Sequence, residues 1–205
     1  MTVHARSDER ANGEWLDQLS VDSAEMVSRA MKSVVVVHNG RRGAGAGVIW
    51  DDRGTVITNA HVVARGRLHV RTQEGTEGEA RIAAINPDLD LAALRWSGEG
   101  VPLPRGDAHR LRAGEWVYAL GNPWGVIGAA TGGVVIGMGA DLPEMPVRGR
   151  EWLALGLHLR PGHSGGAVID SAGRLVGINT MMTGPEVGVA IPIHIVEAFA
   201  REARI

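Results

Sequence analysis

Short apolar runs, each closed by glycine, asparagine, aspartate or proline, recur along most of this 205-residue chain. The run Ser33-Val34-Val35-Val36-Val37-His38 is β-branched and too short for a helix, which predicts a buried strand. Residues 43–50 and 55–58 flank the turn residues Asp51-Asp52-Arg53-Gly54 and predict a hairpin. The same pattern predicts strands over 68–72, 80–85 and 91–96, and further on over 115–120, 129–138, 152–157, 167–169, 175–179 and 188–190. Between the two sets, residues 97–114 are rich in glycine, proline and charge, as a connection between two halves would be. Two sets of short strands joined by one connection predict two small β-barrels.

Helical spacing is confined to the two ends. Met26, Val27, Ala30 and Met31 repeat at that spacing, and Asp22 with Glu25 three residues later has the form of a capping box. Residues 1–13 are polar with charges of both signs and read as a frayed tail. Trp15 and Leu16 begin the helix or pack beside it. A short C-terminal helix is expected to run through Ile205, with Pro192 near its first turn.

Composition agrees with many turns and small cores. The chain holds 29 glycines, about twice the usual share, and its aromatic content is 4%. The formal net charge of −2 gives no reason to expect nucleic acid or an anionic membrane, and the pair Arg41-Arg42 is too short to argue otherwise. No stretch reaches the roughly 18 apolar residues of a membrane span, and the N-terminus lacks an apolar export signal. That places the protein in the cytoplasm if this is the full chain, and outside it if a signal or anchor has been removed. With no cysteine, disulfides and thiolate metal sites are excluded. The glycines from Gly43 to Gly47 are not a phosphate loop, because a strand follows and no Gly-Lys-Ser/Thr does.

The candidate chemistry centres on Arg160-Pro161-Gly162-His163-Ser164-Gly165-Gly166. A hydroxyl held in such a turn beside free backbone N–H groups is suited to attack a carbonyl and hold its oxyanion. The plain alternative is a surface Gly-Ser turn before a strand. A serine nucleophile needs a base and an orienting carboxylate. His61 follows a predicted strand in Thr58-Asn59-Ala60-His61-Val62-Val63, and Asp90 opens the apolar run Leu91-Ala92-Ala93-Leu94. A cleft between two barrels would bring the three together.

In this arrangement the chain resembles the trypsin-like serine proteases, most closely the protease domain of the HtrA/Deg family. The matching segments are Gly45 to Ile49, Thr58 to Val63, Asp90 to Leu94, Gly121-Asn122-Pro123-Trp124-Gly125, Pro161 to Gly166, Val176 to Thr180 and Gly188 to Pro192, in family order. The resemblance implies an all-β fold of two packed six-stranded antiparallel barrels with short N- and C-terminal helices. It divides the chain into a tail and helix over 1–32, a first barrel over 33–104 and a second barrel with the C-terminal helix over 105–205. Ser164 becomes the nucleophile, His61 the general base and Asp90 its orienting carboxylate, with Asp88 as the fallback. The N–H groups of Gly162 and Ser164 become the oxyanion hole, with the Gly162–His163 peptide required to point the right way. The implied activity is endopeptidase action on protein or peptide substrates through an acyl-enzyme, in protein quality control, with no cofactor and no metal.

Four features qualify the resemblance. His163 stands where the family usually has asparagine, and its side chain is expected to brace the loop, with pH sensitivity as one outcome. His158, Leu159, Thr180 and Met181 are expected around the specificity pocket, which favours a small or medium apolar P1 residue; an acidic P1 follows if His158 faces the pocket. The family's PDZ domain is not expected in this chain. Trp15 is the only aromatic residue before Trp50, so monomer and trimer both stay open. Two other readings compete. One is a catalytically silent or latent module that binds unfolded polypeptides, against which all three triad residues and the oxyanion glycine are present. The other is a metal hydrolase built on some of the eight histidines, against which no His-Glu-x-x-His pair occurs.

Overall fold

The unbroken apolar run of strand β1 (Val34–His38) is explained by cores on both of its faces. In the computed structural model, which describes residues 4–39, 44–63, 67–143, 145 and 147–205, Val35 and Val37 pack with Ile49, Val56, Val70, Leu94 and Trp96. Val34 joins a different cluster with Ala46, Val48, Ile57, Leu120, Ile169 and Ile178. The first cluster fills one barrel and the second lies between two barrels. Strands sandwiched in this way read as continuous hydrophobic runs rather than alternating ones. Each fully buried valine contributes roughly 1.5–3 kcal/mol, so β1, with every valine buried, ties the first barrel to the shared core.

Twelve antiparallel strands form two closed barrels. The first is ordered β1-β2-β3-β6-β5-β4, from β1, β2 (Ala44–Ile49), β3 (Thr55–Thr58), β4 (Leu68–Arg71), β5 (Glu77–Asn86) and β6 (Leu91–Trp96). The second uses β7 (Trp116–Gly121), β8 (Ala129–Gly139), β9 (Trp152–Gly156), β10 (Ala167–Asp170), β11 (Leu175–Gly184) and β12 (Val187–Pro192). Read from β7 it runs β7-β8-β9-β12-β11-β10, which repeats the topology of the first. Its interior holds Val117, Val135, Leu153, Leu155, Val168 and Val176. The all-β, two-barrel expectation holds, and every predicted strand has its counterpart.

Helix α2 (Ile193–Ala203) starts directly after Pro192 and buries Ile193, Val196, Phe199 and Ala200 against β11, β12 and β6. Helix α1 spans His4–Met31 and so begins well before the expected capping box, within the segment read as a tail. Asp22 lies in its middle and accepts a hydrogen bond from Gln18 at 2.8 Å, an i,i+4 contact rather than a cap. From Gly13 onward, α1 buries Met26, Ala30 and Met31 in its last turns, whereas Trp15 and Leu16 face solvent. Arg41, Arg42 and Gly43, singled out from the sequence, lie outside the described residues. Among the described residues no helix is long and apolar enough to cross a membrane.

Candidate active site

Where β3 ends, Thr58 and Asn59 are fully buried and fix the chain that follows. The Thr58 hydroxyl donates to the Ala46 carbonyl at 2.7 Å, and Asn59 Nδ2 donates to the Asp90 carbonyl at 3.0 Å. The backbone then coils into a short 3-10 turn, Ala60–Val63, which presents His61 outward. Asp90 sits at φ +54°, a left-handed conformation that aspartate adopts more readily than most residues. Its N–H donates to the Pro87 carbonyl, and its own carbonyl accepts from Ala60 N–H. The turn thereby aims the carboxylate back at His61.

Three groups converge on that carboxylate. His61 N–H donates to Oδ1 at 3.1 Å, and His61 Nδ1 lies 3.0 and 2.9 Å from the two oxygens. From the other barrel, the Thr180 hydroxyl donates to Oδ2 at 2.7 Å. Burial pushes the Asp90 carboxyl up, but the hydrogen bonds from His61 and Thr180 and the neighbouring imidazole outweigh it and hold the group below its ordinary value. An acceptor-only carboxylate requires a proton on Nδ1, which leaves the lone pair on Nε2 of a half-exposed ring. Asp88, the fallback carboxylate, is exposed, and among the described residues it contributes its backbone carbonyl, which accepts from Arg150 Nη1 at 2.8 Å, rather than its carboxylate. Arg150 also donates to the Leu89 carbonyl and stacks its guanidinium 3.9 Å from the Trp152 ring. It thus clamps the turn before Asp90 from the second barrel.

The serine loop meets the first barrel edge-on. Ala46 N–H donates to the Ser164 carbonyl at 2.8 Å. Gly165 is at φ +81°, and a Cβ there would lie 2.2 Å from the Ala46 carbonyl and 2.3 Å from the Thr58 hydroxyl. Only glycine allows this approach. His163 N–H closes a turn onto the Arg160 carbonyl at 2.9 Å, with Gly162 at φ +106° inside it. The expectation named the Gly162–His163 peptide, but the N–H of Gly162 belongs to the peptide before it. That Pro161–Gly162 peptide is oriented by Trp124 N–H, which donates to the Pro161 carbonyl at 3.2 Å and so turns the Gly162 N–H the other way. Neither the Gly162 nor the Ser164 N–H donates a hydrogen bond within the described residues. The Ser164 hydroxyl donates to the Thr180 carbonyl at 2.9 Å and is not bonded to His61.

The pocket candidates are dispersed. Leu159 is buried in the second barrel's interior, with its N–H 3.1 Å from Met182 Sδ. His158 is exposed and its Nδ1 lies 3.1 Å from the Pro185 carbonyl, in the β11–β12 turn. Met181 is partly exposed, whereas the buried Thr180 turns its hydroxyl to Asp90 rather than to a pocket. The supporting roles of the Gly121–Gly125 segment and of Arg150 have no local signal in the sequence, because their partners at Pro161, Asp88 and Leu89 are distant along the chain.

His163 does brace the loop, as expected. It is buried, and its Nδ1 accepts the Arg160 N–H at 3.0 Å. Burial pushes its imidazole below the ordinary value; the Arg160 backbone contact opposes this, and the nearby Arg160 and His158 charges reinforce it. The unfolded chain, with a histidine near the ordinary value of about 6.5, therefore takes up the proton first. Stability should fall as pH drops below that value and continue falling until pH reaches the folded one. Denaturant midpoints measured from pH 7.5 to 5 are expected to fall more steeply in the wild type than in His163→Asn. Parallel curves would show that the His163 proton does not matter.

Comparison with known proteins agrees with this geometry. The model of the trypsin-like peptidase domain family matches residues 45–178. The chain is 35% identical over 156 residues to a probable periplasmic serine endoprotease, DegP-like, of Brucella suis, covering 73% of this chain and 30% of that protein. It is 34% identical to the chloroplastic Protease Do-like 1 of Arabidopsis thaliana, covering 76% of this chain and 38% of the relative. It therefore spans about a third of the length of these curated relatives. Among solved structures, the HtrA-type protease AlgW with tripeptide superposes with a TM-score of 0.80 at 29% identity, covering 87% of this chain and 62% of that one.

Proposed function

The chain belongs to the trypsin-like peptidase family, and from that premise we propose that it is a serine endopeptidase with Ser164 as nucleophile, His61 as general base and Asp90 as orienting carboxylate. The observation that carries the reading is the Asp90 carboxylate locked onto His61 Nδ1 at 2.9 Å, beside a serine flanked by two uncommitted N–H groups. Rotation of the Ser164 side chain away from the Thr180 carbonyl delivers its hydroxyl to His61 Nε2. His61 takes that proton as Oγ bonds the scissile carbonyl carbon, and the resulting oxyanion is held by the Gly162 and Ser164 N–H groups. Collapse of the tetrahedral adduct breaks the C–N bond, and His61 returns the proton to the leaving amine. Water, deprotonated by His61, then releases the acyl group and restores Ser164. Leu159 and Met182 beside the barrel interior favour a small or medium apolar P1 side chain. The acidic alternative loses support because His158 is turned to the Pro185 carbonyl.

One observation favours a second reading, a latent module that binds unfolded segments without cutting them: the Ser164 hydroxyl is bonded to Thr180 rather than to His61. A fluorophosphonate probe separates the two. Labelling of the wild type, absent in Ser164→Ala, is the expected result, together with cleavage of a peptide library by the wild type alone. A folded wild type that takes no label would overturn the protease reading.

A further inference from the structure

Three residues far apart in sequence, none of them part of the serine site, meet at one point. His109 lies in the 3-10 turn Ala108–Arg110 of the connection between the barrels, Glu151 immediately precedes β9, and His194 is the second residue of α2. One donor atom from each lies within 4.8 Å of the others. His194 Nε2 is 2.9 Å from a Glu151 carboxylate oxygen, and the His109 and His194 rings stack with centroids 4.0 Å apart. The His194 Nδ1 is buried with no hydrogen-bond partner among the described residues. We propose that His109, Glu151 and His194 form a binding site for a divalent transition-metal ion, with Zn²⁺ the best match.

Two imidazoles and a carboxylate are a donor set that zinc takes, leaving a fourth position for water. The distances are wider than a bound ion needs, since ligand atoms about 2.0–2.2 Å from zinc stand closer together than 4.8 Å. Stacked rings inclined by 22° also point their in-plane lone pairs nearly side by side. His109 must therefore turn out of the stack to share the ion. It is free to do so, because its side chain is exposed while its backbone is held by the N–H bond to Asp107 at 3.0 Å. Arg150, the neighbour of Glu151 in sequence, is engaged with the Asp88 and Leu89 carbonyls rather than with the Glu151 carboxylate. A bound ion would cross-link the inter-barrel connection, the residue before β9 and the start of α2.

The test is titration of the chelator-treated protein with Zn²⁺ against a chromophoric competitor, and with Co²⁺ followed by its visible absorption. One saturable equivalent per chain, a tetrahedral-type Co²⁺ spectrum and a Zn²⁺-dependent rise in Tm are expected. His109→Ala, at an exposed position, should keep the metal-free Tm but weaken Zn²⁺ by more than about 100-fold, since even outer-shell changes cost about 10–100-fold. Glu151→Gln should weaken it likewise, and His61→Ala should leave it unchanged. The proposal is overturned if no equivalent saturates, if binding survives in His109→Ala, or if the equivalent is lost with His61 instead.

Discussion

Asp90→Asn is expected to lower kcat/KM by about 10⁴ at neutral pH while leaving the fold intact. The carboxylate accepts from His61 N–H, His61 Nδ1 and the Thr180 hydroxyl. An asparagine replaces one acceptor oxygen with an NH₂; the Thr180 hydroxyl can turn to accept from that NH₂, but an NH₂ at the Oδ2 position also faces the Nδ1–H of His61 at 2.9 Å. The imidazole can relieve this by moving its proton from Nδ1 to Nε2, so that Nδ1 accepts from the new amide. That tautomer has no lone pair toward Ser164 and cannot act as its base. Because His61, Thr180 and the imidazole hold Asp90 below its ordinary value against the effect of burial, the wild-type carboxylate stays ionised across the neutral range. Its contribution to stability is present above the unfolded value of about 3.9 and lost as pH falls through the folded value. Steady-state kinetics with a circular-dichroism melt check the prediction. An Asp90→Asn enzyme within tenfold of wild type would show that another group orients His61.

The strands were legible because each is short, apolar and closed by a residue with specific turn chemistry. Gly54 at φ +77° ends the β2–β3 turn where the sequence placed it. Continuous runs such as Leu91-Ala92-Ala93-Leu94 could also be read as buried, although not which face met which core. The structure divides them: Ala92 and Leu94 fill the first barrel, and Leu91 and Ala93 face the second. The start of α1 was misread because Asp22 and Glu25 satisfy the capping pattern locally, while the helix in fact continues through them. His61, Asp90 and Ser164 could be nominated because each stands in a distinctive local setting. Their supports could not. Thr180 reaches Asp90 across 90 positions, Arg150 reaches the Asp88 carbonyl across 62, and Trp124 orients the Pro161 peptide through a backbone N–H that any residue carries. The His109–Glu151–His194 cluster has no motif for the same reason: its three members come from three separate elements.

The oxyanion loop gives the sharpest test of geometry against composition. Gly162→Ala is expected to cut kcat by about 10²–10³, the usual cost of one lost oxyanion donor, with KM little changed. A Cβ at this position would lie 2.2 Å from the Asn122 carbonyl oxygen and 2.9 Å from Pro123 Cα, and the backbone is at φ +106°. Neither neighbour is the yielding end of a side chain, and the Asn122 N–H is itself bonded to the Gly162 carbonyl at 2.9 Å. Rotating the Pro161–Gly162 peptide relieves the clash. That breaks the Trp124 N–H contact to Pro161 and swings the Gly162 N–H away from the oxyanion. Strain alone cannot mimic this outcome. Gly75 is also at positive φ, +93°, but nothing lies within 4 Å of a Cβ built there. Gly75→Ala should therefore show the stability cost of a strained backbone, of order 1–3 kcal/mol, with kcat unchanged. If both variants lost activity in proportion to stability, the Gly162 N–H would have no part in catalysis. Loss of kcat and of fluorophosphonate labelling in Gly162→Ala alone would place that N–H in the oxyanion hole.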